Sequence, residues 1–332
     1  MGRHLVGTFA FERLFQHGGD INSAEAAFPE APRPWIDLST GLNPVPYPVP
    51  ALDAARWARL PTPAEIEALQ AAAGARYGAT APRVVVAAGA QAIIQWLPRL
   101  FPASRVAILG PTYSGHESAW RAAGTRILRA PEPGAAVVVV NPNNPDGRRL
   151  PLRRLRELAR AASLLVVDEA FADFEAETLC ADSPPATIVL RSFGKAYGLA
   201  GVRLGFAVAE PEIAGVLREA LGAWPVSGPA LEIGRRALAD ATWLAAARAR
   251  LEADARWLDD LLVAAGFALV GGTLLFRLAR RADARAAFVT LCAQGVLTRP
   301  FRAEPEWLRF GLPRPGDRAR VEAALRGLQA AV

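Results

Sequence analysis

Short apolar segments alternate with amphipathic segments through the middle of the chain. The apolar segments are rich in valine, leucine and isoleucine and end at glycine or polar residues, as buried strands do. Such an alternation predicts a largely parallel sheet with helices on both faces. The predicted strands are 84–88, 105–109, 125–129, 137–140, 164–167 and 187–190, and the predicted helices are 63–77, 92–100, 114–123 and 152–162.

The pattern changes near both ends of the chain. The first 36 residues predict an arm with a short helix that begins at the His-Gly-Gly-Asp sequence of 17–20. We therefore divide the chain into an arm that joins the small domain (1–36), a large domain (37–225) and a smaller α/β C-terminal domain (226–332). In the last of these, a helical region at 229–265, broken once near 240, precedes a strand at 273–278, a helix at 282–294, strands at 296–299 and 307–311, and a helix at 315–330.

Candidate ligand-binding residues follow several of the predicted strands. Parallel sheets bind ligands beyond the carboxyl ends of their strands. Gly89-Ala90-Gln91 opens a helix, where free N–H groups and the helix dipole favour an anion. Tyr113, Asn144 and Asp168 follow three further strands. Each has an ordinary alternative in a turn or a core, but their joint position at successive strand ends favours a binding site.

Lys195 is the only lysine among the 38 lysine and arginine residues. An arginine stays protonated and cannot condense with a carbonyl, whereas a lysine amine can become a nucleophile. A solitary surface lysine is the alternative, and the flanking residues argue against it. Ser192 and Arg203 supply a hydroxyl and a planar set of donors that suit a phosphate. A lysine bonded to an aldehyde beside a phosphate predicts pyridoxal phosphate.

The composition excludes several other classes of protein. The net charge of +6 comes from arginines that lie among acidic residues, so we predict no nucleic-acid partner. Two cysteines and three histidines are too few and too scattered for a disulfide framework or a metal site. Neither a dinucleotide-binding nor a P-loop motif occurs, and no segment has the length of a membrane span. We therefore expect a soluble, cytoplasmic protein with no metal.

Three motifs resemble the aspartate-aminotransferase superfamily of pyridoxal-phosphate enzymes. They are Asn-Pro-Asn-Asn-Pro at 141–145, Asp-Glu-Ala-Phe at 168–171 and the stretch 191–206, which contains Lys195. The resemblance covers nearly the whole chain and implies the fold type I architecture and a homodimer. It further implies that Lys195 binds the cofactor covalently, that Asp168 keeps its ring nitrogen protonated, that Asn144 bonds its 3-hydroxyl and that Tyr113 stacks on its ring. The implied phosphate ligands are Ser192, Arg203 and the backbone at Gly89, Ala90 and Gln91.

Within the superfamily the chain resembles histidinol-phosphate aminotransferase and threonine-phosphate decarboxylase. The sequence at 17–20 and Asp-Leu-Ser-Thr-Gly-Leu-Asn-Pro at 37–44 favour the decarboxylases of cobalamin biosynthesis. That resemblance implies a small phosphorylated amino acid, L-threonine O-3-phosphate, as substrate. The residues implied to bind it are His17, Gly18, Asn43, Arg299 and Arg309.

Two positions depart from what many aminotransferases have. Phe171 lacks the hydroxyl that those enzymes place beside the cofactor, and Leu60 stands where relatives often have a tyrosine. Transamination of histidinol phosphate or a related amino acid uses the same residues as decarboxylation, so it remains an alternative. A protein that binds pyridoxal phosphate without turnover is a second alternative.

Overall fold

The computed structural model describes residues 10–328. The chain divides into two compact units, one of residues 46–246 and the other of residues 1–45 and 247–332. We call them the sheet unit and the terminal unit. The predicted domain limits at 36/37 and 225/226 stay a prediction, and the limits of the compact units lie at 45/46 and 246/247.

The elements of the described residues are as follows in chain order. The strands are β1 (Ile36–Asp37), β2 (Val84–Ala87), β3 (Arg105–Ile108), β4 (Arg126–Leu128), β5 (Ala136–Val140), β6 (Leu164–Asp168), β7 (Thr187–Ser192), β8 (Gly205–Val208), β9 (Ala268–Thr273), β10 (Phe276–Arg280), β11 (Val296–Leu297), β12 (Arg299–Pro300) and β13 (Trp307–Gly311). The helices are α1 (Ile21–Ala27), α2 (Ala55–Ala58), α3 (Pro63–Tyr77), α4 (Ala90–Leu100), α5 (Ser114–Ala122), α6 (Leu152–Ala161), α7 (Phe193–Ala196), α8 (Pro211–Leu221), α9 (Gly228–Ala239), α10 (Ala241–Ala264), α11 (Ala284–Ala293) and α12 (Arg318–Gly327).

The sheet unit is built on a seven-stranded sheet, as far as residues 10–328 show, with the strand order β2-β8-β7-β6-β5-β3-β4. Strand β8 pairs antiparallel with both of its neighbours, and the other pairs are parallel. The carboxyl ends of β2, β3, β5, β6 and β7 therefore share one edge of the sheet with the start of β8. The prediction of a mostly parallel sheet is confirmed.

Every residue of β2, β5 and β6 is buried, which explains why these strands lack a polar alternation. Val166, Ile188 and Leu190 join one buried cluster with Ile93 and Trp120 from α4 and α5. Helices thus cover the sheet, and only the strand ends expose polar groups, as expected of a parallel sheet.

Helix α3 forms where the sequence predicts it. Thr62 and Glu65 make a capping box at its start, and Gly78 ends it at a φ of 73°. The predicted break near 240 is confirmed as well. Asp240 separates α9 from α10, and its Oδ1 accepts the N–H of Trp243 at 2.9 Å.

The terminal unit contains an antiparallel sheet of order β12-β13-β10-β9, and β1 pairs in parallel with β11. The predicted short N-terminal helix is confirmed as α1, whose first turn is capped by Asp20, with 3.1 Å from its Oδ1 to the N–H of Ser23. None of the helices between residues 10 and 328 is long and apolar enough to cross a membrane.

Some predicted elements were wrong. The strand predicted at 273–278 is a hairpin of β9 and β10, because the chain turns where Thr273 Oγ1 accepts the N–H of Leu275 at 3.1 Å. The strand predicted at 296–299 is two short strands that pair with different partners, β1 and β13. Strand β8 and helix α8 were not predicted.

Candidate active site

Six positions predicted from the sequence lie along one edge of the sheet in the order of its strands. Gly89 follows β2, Arg203 precedes β8, Ser192 ends β7, Asp168 ends β6, Asn144 follows β5 and Tyr113 follows β3. The structure therefore brings together residues that are more than a hundred positions apart in the chain. Lys195 lies one turn beyond β7, in the short helix α7.

Two glycines shape a cradle at the start of α4. Gly205 lies between Ser192 and Ala87 in the sheet, and a Cβ on Gly205 would overlap the backbone N of Ala90. Gly89, at a φ of +84°, passes so close to Arg203 that a Cβ there would lie 2.9 Å from its Nη2. The N–H groups of the first turn of α4 have no partner within the helix. Together with the guanidinium they form a site suited to an anion.

Aromatic rings hold the turn that carries Lys195. The ring of Tyr197 stacks on Phe193 at 4.5 Å and on Trp243 at 5.6 Å, with interplanar angles of 12° in both pairs. Phe193 and Tyr197 flank the lysine at two residues on each side. Lys195 Nζ lies 5.5 Å from the centroid of the Phe171 ring.

Asp168 is buried and has two hydrogen-bonding partners. Its Oδ2 lies 2.8 Å from Nε2 of His116, and its Oδ1 accepts the N–H of Ala170 at 3.0 Å. His116 is itself fully buried. A carboxylate held in this way from two sides has a fixed orientation toward the edge of the sheet.

Tyr113 and the loop after β5 complete the edge. The hydroxyl of Tyr113 donates to Gln91 Oε1 at 2.9 Å, and burial, with the charge of Asp168 in second place, raises the pKa of this phenol. Asn143 ties the two loops together, because its amide donates to the carbonyl of Pro111 at 2.9 Å. This tie fixes the position of the neighbouring Asn144.

A buried cluster of charges lies immediately behind the site residues. Arg191 donates to Glu169 Oε2 at 2.9 Å and to Asp173 Oδ1 at 2.8 Å, and its guanidinium lies 4.5 Å from the centroid of Tyr77. Cys180 Sγ lies 3.6 Å from Glu169 Oε2. Burial raises the pKa of Glu169, and Arg191 acts against that shift.

The residues predicted to bind substrate all belong to the terminal unit. Arg299 donates from Nη1 to the carbonyl of Leu14 at 3.0 Å and from Nη2 to that of Gln16 at 2.7 Å, which anchors the loop at His17 and Gly18. His17 is exposed.

The neighbouring loop is tied to the same region of the terminal unit. Arg309 donates to the carbonyl of Ser39 at 2.7 Å, and Ser39 Oγ accepts the N–H of Gly19 at 2.7 Å. Asn43 is buried, and its Oδ1 accepts from Arg250 at 3.2 Å.

Arg299 and Arg309 lie directly opposite each other on β12 and β13. The pKa of each guanidinium is lowered to about 10, mainly by burial. For Arg309 the charge of Arg299 adds to the lowering, and the charge of Asp37 acts against it. Two partly desolvated cations on adjacent strands repel each other, and an anion bound between them would relieve that repulsion.

Two residues of the site, His116 and Trp243, were not predicted from the sequence. His116 follows Tyr113 by three residues at the start of α5, so it lies near Tyr113 on the helix surface. That spacing could have indicated a polar partner for the site. No comparable signal indicated Trp243, which reaches the Lys195 turn from a distant helix.

Comparison with known proteins identifies the family. The family model described as aminotransferase class I and II matches residues 33–328. The chain belongs to this family. It has the α/β fold of the pyridoxal-phosphate-dependent aminotransferases, and the predictions of that fold and of the superfamily are confirmed.

Curated members of this family cover nearly all of the chain. A threonine-phosphate decarboxylase of Sinorhizobium sp. is 42% identical over 326 residues, which are 93% of this chain and 97% of that protein. A threonine-phosphate decarboxylase of Pseudomonas aeruginosa is 40% identical over 333 residues, 95% of this chain and 98% of that protein.

A solved structure supports the same fold. The histidinol-phosphate aminotransferase of Sinorhizobium meliloti, in complex with pyridoxal-5'-phosphate, superposes with a TM-score of 0.83. The match covers 95% of this chain and 96% of that one, at 20% identity. At this identity the likeness concerns the fold alone.

Proposed function

We propose that the protein is a pyridoxal-phosphate-dependent decarboxylase that converts L-threonine O-3-phosphate to (R)-1-amino-2-propanol O-2-phosphate in cobalamin biosynthesis. The observation that carries this proposal is the position of Lys195, the only lysine, on the strand edge that also holds Asp168 and the anion cradle. The two relatives at 42% and 40% identity, each covered almost completely, support the choice of reaction.

The residues at the strand edge fit pyridoxal phosphate. The N–H groups of Ala90 and Gln91, the hydroxyl of Ser192 and the guanidinium of Arg203 match its phosphate, and a glycine at 205 keeps the cradle open. The buried, oriented carboxylate of Asp168 matches a protonated ring nitrogen.

Three more residues match the remaining parts of the cofactor. We assign Asn144 to the 3-hydroxyl, Tyr113 to the ring face and Lys195 to the aldehyde. When bound, the cofactor supplies an electron sink for the bond that breaks.

The protein's own residues would bind the substrate and move one proton. We assign Arg309 to the substrate carboxylate, and His17, Gly18, Asn43 and Arg299 to its other polar groups. The bond between Cα and the carboxylate breaks and CO₂ leaves. Lys195 Nζ then donates a proton to Cα, and the amine product forms.

A direct assay separates this reaction from transamination. We expect the purified protein to release CO₂ from threonine phosphate with no oxo acid present. Product that forms only when 2-oxoglutarate is added would reject the decarboxylase and favour an aminotransferase. The Lys195→Arg variant keeps the charge but has no side-chain amine, so it should be inactive and should yield no pyridoxyl adduct after borohydride treatment.

We further propose a cytoplasmic homodimer. Trp57, Leu60 and Trp224 of the sheet unit are 71%, 62% and 58% exposed, which is costly for large apolar side chains unless a second copy covers them. The mass of the protein, measured by light scattering as it elutes from a size-exclusion column, tests whether it is a dimer. The Leu60→Asp variant should shift the mass toward the monomer, and a monomeric wild type would reject the proposal.

A further inference from the structure

We propose that Phe171 determines reaction specificity through Lys195, by favouring the protonated amine that decarboxylation requires. The inference rests on the proposed function and adds a residue to it. Phe171 is 5% exposed, and its ring centroid lies 5.5 Å from Lys195 Nζ. A cation within about 6 Å of an aromatic ring is attracted to the negative face of that ring.

The turn after β6 holds the backbone of Phe171 in place. The N–H of Ala170 donates to Asp168 Oδ1 at 3.0 Å, and the N–H of Ala172 donates to the carbonyl of Glu169 at 3.0 Å. Phe171 lies between these two bonds, directly before the short helix Ala172–Phe174. The backbone of the ring-bearing residue is therefore held by the same segment that holds Asp168.

The two competing reactions need different protonation states of Lys195. In decarboxylation the bond from Cα to the carboxylate breaks, CO₂ leaves, and the ammonium of Lys195 gives its proton to Cα. In transamination the bond from Cα to its hydrogen breaks, and the neutral amine of Lys195 takes that proton as a base. A ring that stabilises the ammonium therefore favours the first reaction over the second.

Other charged groups at this edge would act on Lys195 as well, and the test keeps them constant. Asp168, oriented by His116, favours the ammonium, and Arg203, which donates to the carbonyl of Ala200 at 3.3 Å, opposes it. Tyr113, whose phenol donates to Gln91 Oε1 at 2.9 Å, is a further titratable group of the same strand edge. A substitution of Phe171 by leucine removes the ring and changes none of these charges.

The single lysine allows a direct measurement on the full chain without cofactor. The pH dependence of acylation is followed by mass spectrometry of the peptide that contains Lys195, which distinguishes it from the N-terminal amine. We expect Phe171→Leu to lower the midpoint of labelling by about 0.4 to 1.5 pH units, the equivalent of a cation–π interaction of about 0.5 to 2 kcal/mol. Phe171→Tyr keeps the ring and should keep the midpoint.

Phe174, three residues after Phe171, provides a matched control. Phe174 is also 5% exposed, and Phe174→Leu should lose a similar packing contact without moving the labelling midpoint. The second measurement uses the variants with bound cofactor. It is the ratio of amine product to carbonyl product formed from threonine phosphate when 2-oxoglutarate is present to take up the amino group. We expect Phe171→Leu to raise the carbonyl fraction at least about threefold over wild type and over Phe174→Leu, which corresponds to about 0.7 kcal/mol.

The outcomes separate this inference from the proposed function. An unchanged labelling midpoint in Phe171→Leu, or an equal shift in Phe174→Leu, overturns the inference even when wild type releases CO₂. A shifted midpoint with an unchanged product ratio overturns it too. A wild type that releases no CO₂ rejects the proposed function, whereas the labelling result still decides whether the ring acts on the amine.

Discussion

Replacing Arg191 by leucine should destabilise the protein strongly, because two buried carboxylates would lose their partner. Arg191 is 1% exposed and bonds Glu169 at 2.9 Å and Asp173 at 2.8 Å. Removing one member of a buried ion pair costs about 3 to 5 kcal/mol, since the remaining charge stays buried. That is a large part of the 5 to 15 kcal/mol that is typical of the free energy of unfolding.

Urea unfolding of the cofactor-free chain, followed by far-ultraviolet circular dichroism, measures this loss. The control is Arg154→Leu, which removes an ion pair with Glu157 of the same length, 2.9 Å, whose side chains are 52% and 51% exposed. Exposed ion pairs contribute only about 0 to 1 kcal/mol to the free energy of unfolding. The reasoning is refuted if Arg191→Leu unfolds within about 1 kcal/mol of Arg154→Leu.

The pH dependence tests whether the loss is electrostatic. Burial already raises the pKa of Glu169 in the folded protein, and Arg191 opposes that shift. A carboxyl with a raised folded pKa contributes stability that is complete below its unfolded pKa and is lost as the pH rises through the folded pKa. Without Arg191 the pKa of Glu169 rises further, so the stability difference between variant and wild type should be largest at neutral pH and should shrink as the pH falls toward the unfolded pKa of a glutamate. A constant difference would indicate lost packing instead.

Three further predictions concern the site. His116→Phe leaves the buried Oδ2 of Asp168 without its partner and should lower the free energy of unfolding, measured by thermal unfolding, by about 1 to 3 kcal/mol. His116→Gln keeps a donor and should lower it less. Equal losses in the two variants would contradict the role of the hydrogen bond. Gly205→Ala places a Cβ against the backbone of Ala90 and should weaken pyridoxal phosphate binding at least about tenfold, as measured by fluorescence titration. An unchanged affinity would contradict the assignment of the cradle to the cofactor phosphate. Trp243→Leu removes a ring from the stack beside Lys195 and should lower kcat by a larger factor than it lowers cofactor affinity. A variant with reduced cofactor affinity and unchanged kcat would contradict this prediction.

The parts of the fold that the sequence predicted well are those with a strong local signal. Helix α3 begins at a proline after Thr62 and ends at Gly78, so both limits could be predicted. The hairpin of β9 and β10 could not, because Gly271 and Gly272 lie inside β9 and resemble a turn, whereas the actual turn has no glycine. Strand β8 has only four residues and follows a glycine-rich loop, so periodicity could not separate it from that loop.

The site shows the same division between local and long-range signals. Residues that directly follow an apolar strand, such as Asp168, could be predicted because strand ends of a parallel sheet share an edge. The partner of Asp168 could not, because a histidine in a helix is more often an ordinary core residue, and its contact spans 52 positions. Arg299 was predicted as a substrate ligand, but the sequence did not indicate that two of its donors hold the chain at Leu14 and Gln16.

Catalysis and stability are coupled through consecutive residues of the same two strands. Successive side chains of a strand point to opposite faces, so Ser192 lies at the anion cradle while Arg191 enters the buried charge cluster. Asp168 and Glu169 divide in the same way at the end of β6: Asp168 lies at the site, and Glu169 enters the charge cluster. Because the cluster joins the ends of β6 and β7, we expect a change there to move Asp168 relative to the turn that carries Lys195. Arg191→Leu should therefore weaken cofactor binding as well as folding, although none of its atoms belongs to the cradle, and Arg154→Leu should change neither. If cofactor affinity in Arg191→Leu equals that of wild type under conditions where both are folded, the two faces of these strands are independent.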